Sequence, residues 1–241
     1  MFLSDDAKWQ ESYSNLLAAA QTQGEVAGAL SGAARALGFD YWAYGLRTAL
    51  PLSNPKTILV NNYPREWQDR YAAQNYLAID PTVAHGCKSA LPLAWSEALV
   101  GNCPAFWEEA SAHGLNVGWA QSSCDPSGSI GMLTLARDAE ALSPSELRKN
   151  SMGMSWLVHA VHQHMARVTT AGVLHYAPIM LTQREIEILR WTADGKTSGE
   201  VAQIMSITER TVNFHVGNSL QKLNANNKTA GVIKAAMLRL I

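Results

Sequence analysis

Segments with helical spacing of apolar residues alternate with segments in which apolar and polar residues alternate. Val26, Leu30, Ala33 and Leu37 lie on one helical face, and Gly38 follows them as a natural stop. Helical spacing and start signals predict helices over residues 9–20, 26–37, 64–75, about 104–114 and 144–167. The alternating segments predict strands over residues 40–47, 56–60, 117–122 and 130–137.

The order of these elements predicts two domains, for which 241 residues are enough. Helices before and after a set of strands predict an α/β (α+β) domain over residues 1–168, with an antiparallel sheet covered by helices on both faces. Residues 169–178 lose periodicity and are expected to form a linker. Residues 179–241 then read as an all-α domain of four helices.

Four helix start signals divide the C-terminal segment. Capping boxes begin at Thr182 and Thr197, and Thr208 and Asn227 can cap two further helices. The first helix is expected to stop at residue 195, the second at 205, the third at about 223 and the fourth near 240. A short helix, a tight turn at residues 206–207 and a longer helix together form a helix-turn-helix.

The longer of these helices carries apolar residues on one face and mostly polar residues on another. Val212, Val216, Leu220 and Leu223 form one apolar stripe, whereas a separate row carries Asn213, Gly217 and Gln221, flanked by Phe214 and Asn218. Asn and Gln offer paired donors and acceptors that suit base edges in the major groove of DNA. A small helical bundle with a polar surface is the alternative that the pattern leaves open.

Charge favours a polyanionic partner for the C-terminal segment, and the lengths of the apolar runs argue against a membrane protein. The net charge is −1, but residues 179–241 carry eight Lys or Arg against five Asp or Glu, which favours a polyanionic partner. No apolar run approaches the roughly 18 residues that span a bilayer, and the start has no signal-peptide pattern. We therefore expect a cytoplasmic protein without a membrane partner.

Cysteine and tryptophan bear on the chemistry of the first domain. Cys87, Cys103 and Cys124 are scattered, which indicates reduced thiols rather than disulfides or a metal site, and no cofactor is expected. No nucleophile signature or phosphate loop occurs, so we expect no catalytic residues and no enzyme. Seven of the eight Trp precede residue 178, which suits either an apolar pocket or a Trp-rich core.

The C-terminal segment resembles the DNA-binding domain of the LuxR/FixJ-type regulators. The matching positions are Leu181 to Glu185, Leu189, Gly195 to Ser198, Glu200 to Ala202, Thr211 to His215, Asn218, Lys222 and Leu223. The resemblance implies that the helix from Thr208 enters the major groove of double-stranded DNA, and that the fourth helix helps to form a homodimer. RNA polymerase would be a further partner if the protein activates transcription.

The resemblance also implies which residues contact DNA. Base-reading positions of the family fall on Asn213, Phe214, Gly217 and Asn218, although many relatives carry a basic residue where this chain has Gly217. Either DNA approaches closely there or other residues read the site. Residues near helix ends could meet phosphates. The full set expected at DNA is Lys196, Thr197, Arg210, Asn213, Phe214, Gly217, Asn218 and Lys222, with Lys228 as a further phosphate candidate.

The N-terminal segment resembles the autoinducer-binding domain of LuxR-type quorum-sensing receptors, whose signals are N-acyl-homoserine lactones. The matching positions are Asn62 to Pro64, Trp67, Tyr71, Asp80 to Thr82, Trp95, Phe106 to Ala110, Gly114 and Leu133 to Leu135. The resemblance implies that Trp67 donates to the lactone carbonyl, Asp80 accepts the amide N–H, and Tyr63 donates to the amide carbonyl. Thr134 would donate to that carbonyl or to a 3-substituent.

The remaining ligand-site expectations concern the walls. Tyr71, Trp95, Trp107 and Trp119 would enclose the head and tail with apolar surface, and Thr82 belongs to the same expected site. Three further residues, Trp42, Tyr44 and Arg47, are weaker candidates for its lining.

Several alternatives stay open at this stage. Asp80 before Pro81 is also a good helix start, and Trp67 and Tyr71, four residues apart, also suit plain core packing. An enzyme using Cys87 and His85 lacks a recognisable signature, and a phosphorylated receiver would not begin with helices. The serious alternative is a LuxR-type regulator that is ligand-independent or senses a different small molecule.

Overall fold

The computed structural model describes residues 5–138, 140–173 and 179–241, which belong to two compact units. The first unit comprises Met1–Thr48, Lys56–Asp125 and Ser129–Val173. The second comprises Leu174–Ile241 with two short segments, Ala49–Pro55 and Pro126–Gly128.

The first unit is a helical and stranded domain, as its periodicity predicts. Its helices are α1 (Asp5–Ala19), α2 (Gln23–Ala36), α3 (Arg65–Ala73), α4 (Pro81–Gly86), α5 (Glu97–Gly101), α6 (Pro104–Ala112) and α7 (Pro144–Val173), with a 3₁₀ turn at Tyr76–Ala78. Its strands are β1 (Tyr41–Arg47), β2 (Thr57–Asn61), β3 (Leu93–Ala94), β4 (Val117–Cys124) and β5 (Ile130–Arg137).

The five strands form one antiparallel sheet in the order β2-β1-β5-β4-β3. The β4–β5 hairpin pairs Val117 with Arg137 at one end and Cys124 with Ile130 at the other. Asp125 closes its turn, because its carboxylate accepts the Ser129 N–H at 3.1 Å. The antiparallel pairing is the one that the sequence predicts.

Large side chains fill one face of the sheet, against α1, α2 and α7. Alternate positions on β1 bring Trp42, Tyr44 and Leu46 to this face, and the register pairs the first two with Leu135 and Leu133 of β5. All five are at most 2% exposed, and helix residues from α2 and α7 complete the same core. This core holds the sheet to its longest helices.

The opposite face carries small residues. Ala43, Gly45, Gly118, Ala120 and Ala136 occupy the positions between the large ones. Aromatic side chains from α3 and α6 pack against Ala136 there. The sheet is thus covered by helices on both faces, as predicted, and its small-residue face lies under the aromatic side chains of α3 and α6.

The second unit contains α8 (Gln183–Ala193), α9 (Ser198–Met205), α10 (Glu209–Lys222) and α11 (Lys228–Met237). Capping boxes at Thr182 and Thr197 are both formed. Ser206 adopts a left-handed conformation, with φ 54°, and makes the turn between α9 and α10. The predicted four-helix domain with its helix-turn-helix is therefore confirmed.

Most boundaries differ from the predictions by one to four residues, but α7 continues to Val173, six residues beyond the expected end. Five residues of the expected linker, 169–173, are therefore helical, and its other five, 174–178, lie outside the described residues. The short elements β3, α5 and the 3₁₀ turn were not predicted, because two to five residues are too few to show periodicity.

Gly131 on β5 provides a test of the packing under α7. A Cβ at this position would overlap the His162 ring and lie 2.8 Å from the Tyr44 hydroxyl. We expect Gly131→Ala to lower the free energy of unfolding by about 1–3 kcal/mol, because both groups are buried and must move. Urea denaturation followed by far-UV circular dichroism measures the change.

Gly28→Ala is the matched control, because Gly28 lies exposed in α2 and nothing lies within 4 Å of an added Cβ. It is expected to stabilise the protein by up to about 1 kcal/mol through helix propensity. Equal effects of the two substitutions would contradict the described contact.

Candidate functional site: an aromatic chamber and an exposed recognition helix

An aromatic cluster, the aromatic chamber, lies between the small-residue face of the sheet, its chamber face, and helices α3 and α6. Trp67 is 2% exposed, and its ring centroid lies 5.8 Å from Tyr71, 5.7 Å from Tyr76 and 5.5 Å from His113. The cluster also includes three further residues of the predicted ligand set, Tyr63, Trp95 and Trp107, together with Tyr41, which the sequence did not single out. Five predicted residues, Tyr63, Trp67, Tyr71, Trp95 and Trp107, are thus brought together.

Asp80 joins this cluster through hydrogen bonds from both sides. As the N-cap of α4, its Oδ1 accepts the Thr82 N–H at 2.8 Å and the Thr82 hydroxyl at 2.7 Å. Its Oδ2 accepts the Tyr71 hydroxyl at 2.9 Å. The helix-start interpretation is therefore confirmed, and it leaves one carboxylate oxygen directed to the aromatic cluster.

Burial dominates the electrostatics around Asp80. Desolvation raises the pKa of its carboxyl group above the ordinary range, although the bonds from Thr82 and Tyr71 lower it in part. Burial, together with the nearby Asp80 charge, also raises the pKa of Tyr63 and Tyr71 well above their usual range. Both phenols are therefore hydrogen-bond donors at neutral pH.

Two indole N–H groups in the chamber have no hydrogen-bond partner within the described part of the chain. Trp95 Nε1 and Trp107 Nε1 are buried, and the two ring centroids lie 4.6 Å apart. An added Cβ on Gly118 would lie 2.6 Å from Trp95 Cδ2, so the absence of a side chain on Gly118 permits this ring position. Buried N–H groups normally have partners, so an acceptor is expected here.

An ion pair joins the two helices that carry most of the aromatic rings. Arg70 of α3 donates to both carboxylate oxygens of Glu109 of α6, at 2.7 Å each. The bonds from Arg70 lower the pKa of Glu109 to about 2, so the pair stays ionised at physiological pH. Tyr76, Phe106 and this pair received no role from the sequence, since their contacts join distant segments.

Three aromatic residues expected near the ligand lie on the other face of the sheet. Trp42, Tyr44 and Trp119 pack in the core against α2 and α7, where Trp42 Nε1 donates to Ser31 at 2.8 Å and Tyr44 Oη lies 2.7 Å from His162 Nδ1. The expectation that they line the chamber is wrong, because strand alternation directs them away from it.

The other two sheet residues of the predicted set lie on the chamber face. Thr134 is 5% exposed and pairs with Ala43 and Ala120. Arg47 lies on the same face at the end of β1, where its guanidinium lies 3.8 Å from Cys87 Sγ. Arg47 is exposed, which makes it a residue of the rim rather than of the interior.

Helix α10, the longer helix of the helix-turn-helix and the predicted recognition helix, has one exposed face that carries both polar and apolar side chains. Arg210, Asn213, Phe214 and Gly217 follow one another at helical spacing and are all exposed, with Phe214 62% exposed. No atom lies within 4 Å of a Cβ added to Gly217. Asn218, the other predicted reader, is half-buried at the side of this face.

The predicted basic residues differ in their surroundings. Lys196 is exposed beside Thr197, the N-cap of α9. Lys222 instead donates to Glu185 Oε2 at 2.7 Å, and the Glu185 side chain is only 3% exposed. This pair ties α10 to the start of α8, a contact that the sequence could not reveal. A phosphate contact by Lys222 would have to compete with it.

Comparison with known proteins accounts for both units. Residues 22–165 match the family described as autoinducer binding domain, and residues 180–235 match the bacterial regulatory proteins of the luxR family. The chain belongs to the LuxR family. This LuxR-family protein is a DNA-binding transcriptional regulator of quorum sensing with an autoinducer-binding domain, and it is not an enzyme.

Relatives of this LuxR-family chain match it over nearly its whole length. It is 48% identical over 235 residues to the transcriptional activator protein AnoR of Acinetobacter nosocomialis, which covers 97% of this chain and 99% of AnoR. The structure of SdiA from Escherichia coli has a TM-score of 0.82 and 35% identity, covering 98% of this chain and 99% of SdiA.

Two further solved structures contain or name a small molecule. SdiA in complex with octanoyl-rac-glycerol has a TM-score of 0.79 and 34% identity, over 99% of this chain and 97% of SdiA. The N-acylhomoserine lactone dependent LuxR-family factor CepR2 of Burkholderia cenocepacia is 33% identical, with a TM-score of 0.63, over 68% of this chain and 96% of CepR2. No helix in the described ranges is long and apolar enough to cross a membrane.

The raised pKa of Asp80 predicts how an uncharged substitute behaves in the LuxR-family chain. When folding raises the pKa of a carboxyl group, the folded protein becomes less stable as the pH rises through that pKa. An Asn side chain does not titrate and causes no such loss. We expect Asp80→Asn, which keeps a capping oxygen, to raise the melting temperature of the unliganded chain at pH 7. The gain should shrink as the pH falls towards 4, where the wild-type carboxyl becomes protonated.

Thermal denaturation of the full chain between pH 4 and pH 8 measures this difference. Asp69→Asn is the control, because Asp69 and its ion pair with Arg65 are exposed on α3, so the substitution should change the melting temperature little. A pH-independent difference between Asp80→Asn and the wild type would contradict the burial of a charged Asp80.

Proposed function

We propose that the first unit is a receptor for an N-acyl-homoserine lactone and that the lactone controls DNA binding by the second unit. The observation that carries the proposal is the convergence of an indole, two phenols and a half-buried carboxylate on one aromatic chamber. Such a chamber supplies apolar walls with a few directed polar groups, which is what a small amphiphilic signal requires.

The polar atoms of the proposed head group can each find a partner. The Trp67 N–H donates to the lactone carbonyl, and the Tyr63 hydroxyl donates to the amide carbonyl. Asp80 Oδ2 accepts the amide N–H, since it holds the Tyr71 hydroxyl at 2.9 Å and a carboxylate oxygen has room for a second donor. Each of these pairings matters because a buried polar group without a partner destabilises the complex by roughly 1–3 kcal/mol.

The remaining groups suit the rest of the signal. The unpaired N–H groups of Trp95 and Trp107 supply donors for further ligand oxygens, and Thr134 supplies one for a carbonyl or a 3-substituent. The acyl tail would pack against the small residues on the chamber face of the sheet, and each buried CH₂ contributes about 0.8 kcal/mol. Thr82 serves indirectly, by holding Asp80.

The proposed output is sequence-specific DNA binding by a homodimer in the cytoplasm. Two copies of α10 would occupy pseudo-palindromic half-sites about one helical turn apart, or a multiple of that. Asn213 and Phe214 of α10 read bases, while Lys196, Thr197 and Arg210 contact phosphates. If the protein activates transcription, as the name of AnoR states for that relative, RNA polymerase is a further partner.

Ligand binding links the two activities through stability. A signal that completes the core of the first unit stabilises the folded and dimeric state by its binding free energy, and so raises the population that can bind DNA. A bound signal that pairs with the Trp95 and Trp107 N–H groups and with Asp80 strengthens this linkage.

An acylglycerol is the second candidate signal, because SdiA has been solved in complex with octanoyl-rac-glycerol. Its ester carbonyl can accept from the same donors, and one of its hydroxyl groups can donate to Asp80 in place of the amide N–H. Direct titration of both ligands therefore separates the two candidates, rather than a substitution of Asp80.

We expect at least one lactone in a panel of differing acyl lengths to raise the melting temperature of the full chain by several degrees. At about 100 times its Kd a ligand adds about 2.7 kcal/mol of stability. Trp67→Phe removes one hydrogen bond and should weaken the lactone by about 1 kcal/mol, or roughly fivefold in Kd. Thermal shift and calorimetric titration measure these effects.

Trp42→Phe is the matched control, because Trp42 lies on the opposite face of the sheet and its N–H is held by Ser31. It should leave the Kd of the lactone nearly unchanged. If no lactone shifts the melting temperature, or if both substitutions weaken binding equally, the proposed head-group site is wrong. A shift by octanoylglycerol alone would favour the second candidate.

A further inference from the structure

A chain of hydrogen bonds, the polar relay, joins α9, α10 and α11 of the second unit beside the exposed face of α10. Lys228, at the start of α11, donates from Nζ to Ser198 Oγ at 2.6 Å. Ser198, at the start of α9, donates to Asn213 Oδ1 on α10 at 2.8 Å. Lys228 Nζ also lies 3.5 Å from Asn213 Oδ1. The relay thus ends on a residue proposed to read bases.

The chemistry of the relay fixes the direction of every hydrogen bond. A lysine ammonium can only donate, so the Ser198 oxygen accepts from Lys228. The Asn213 atom that Ser198 contacts at 2.8 Å also faces the Lys228 ammonium at 3.5 Å, so the Ser198 hydroxyl donates to this atom as well. Because both neighbours donate, the Asn213 atom between them must be its carbonyl oxygen, and the orientation of the amide does not depend on an arbitrary choice between nitrogen and oxygen.

The amide nitrogen of Asn213, with its two N–H groups, consequently lies on the side of the amide that faces away from Ser198 and Lys228. Asn213 is exposed on the same face as Phe214, and Gly217 one turn later leaves open space beside it. Asn213 therefore offers donors at a place where a base edge can approach closely, while its acceptor is already engaged.

We propose that Asn213 reads its base as a hydrogen-bond donor only, and that Ser198 and Lys228 are positioning residues that hold it in this orientation. The inference rests on the proposed function, in which α10 enters the major groove. It departs from the usual pairing of asparagine, which contacts adenine by donating to N7 and accepting from N6.

The base preference follows from the engaged acceptor. Adenine presents one acceptor and one donor in the major groove, so its N6 donor would compete with Ser198 and Lys228 for the Asn213 oxygen. Guanine presents two acceptors, N7 and O6, either of which can accept an N–H of Asn213, and it has no donor at this edge that needs the Asn213 oxygen. The base pair contacted by Asn213 therefore carries guanine in preference to adenine.

Selection from a randomised DNA duplex library tests this with the full chain and the lactone that most raises its melting temperature. The base pair at which Asn213→Ala relaxes the selected motif is the one that Asn213 contacts. Duplexes with guanine or adenine at that position are then titrated with the wild type, Ser198→Ala, Lys228→Met and Lys196→Met. Circular dichroism confirms that each variant folds.

The wild type should favour guanine by roughly fivefold or more. Ser198→Ala and Lys228→Met should reduce this ratio towards one or reverse it, because the carbonyl oxygen becomes available to adenine. Lys196→Met is the matched control: it should weaken both duplexes equally and reduce the slope of log affinity against log salt by about one.

A selected motif with adenine at the Asn213 position would overturn the inference, and so would a ratio that neither Ser198→Ala nor Lys228→Met changes. A motif that Asn213→Ala leaves intact would also overturn it, because Asn213 would then read no base. These three results leave the proposed function standing. Failure to select any motif would overturn the proposed function together with the inference.

Discussion

Strand alternation in the antiparallel sheet is the constraint on which the first unit depends. On β1, β4 and β5 it directs large residues such as Trp42 and Leu135 towards α7, and small ones such as Ala43 and Ala120 towards α3 and α6. One face is thereby a closed core and the other a floor under an aromatic chamber. A one-residue change of register would exchange the two faces, so the core and the site are specified together.

Local signals predicted most of the architecture because the physics that sets it is local. Capping residues such as Thr182 and Thr197 satisfy backbone groups within their own first turn, and their helices start where the sequence indicates. Asp80 was open to two interpretations, as a helix start or as a ligand acceptor. In the structure it caps α4 with one oxygen and meets Tyr71 with the other, so the alternatives do not exclude each other.

What the sequence did not predict depends on contacts between distant segments. Nothing near Trp119 indicates which face of the sheet it occupies, because an aromatic residue suits either a core or a chamber. The ion pairs of Arg70 with Glu109 and of Lys222 with Glu185 join residues 39 and 37 positions apart. The DNA and ligand contacts of the individual side chains stay predictions, since they need the partner molecule itself.

Because Trp95 lies so close to Gly118, the shape of the chamber wall can change independently of the polar contacts within the chamber. Gly118 lies on the sheet and contributes no polar side-chain atom, yet a single methyl group there would displace the indole above it. Asp80 and Tyr71 belong to other elements and keep their mutual hydrogen bond. Mutation at one backbone position can therefore reshape the wall while the polar head contacts persist, which gives descendants of this receptor a short evolutionary route to a differently shaped signal.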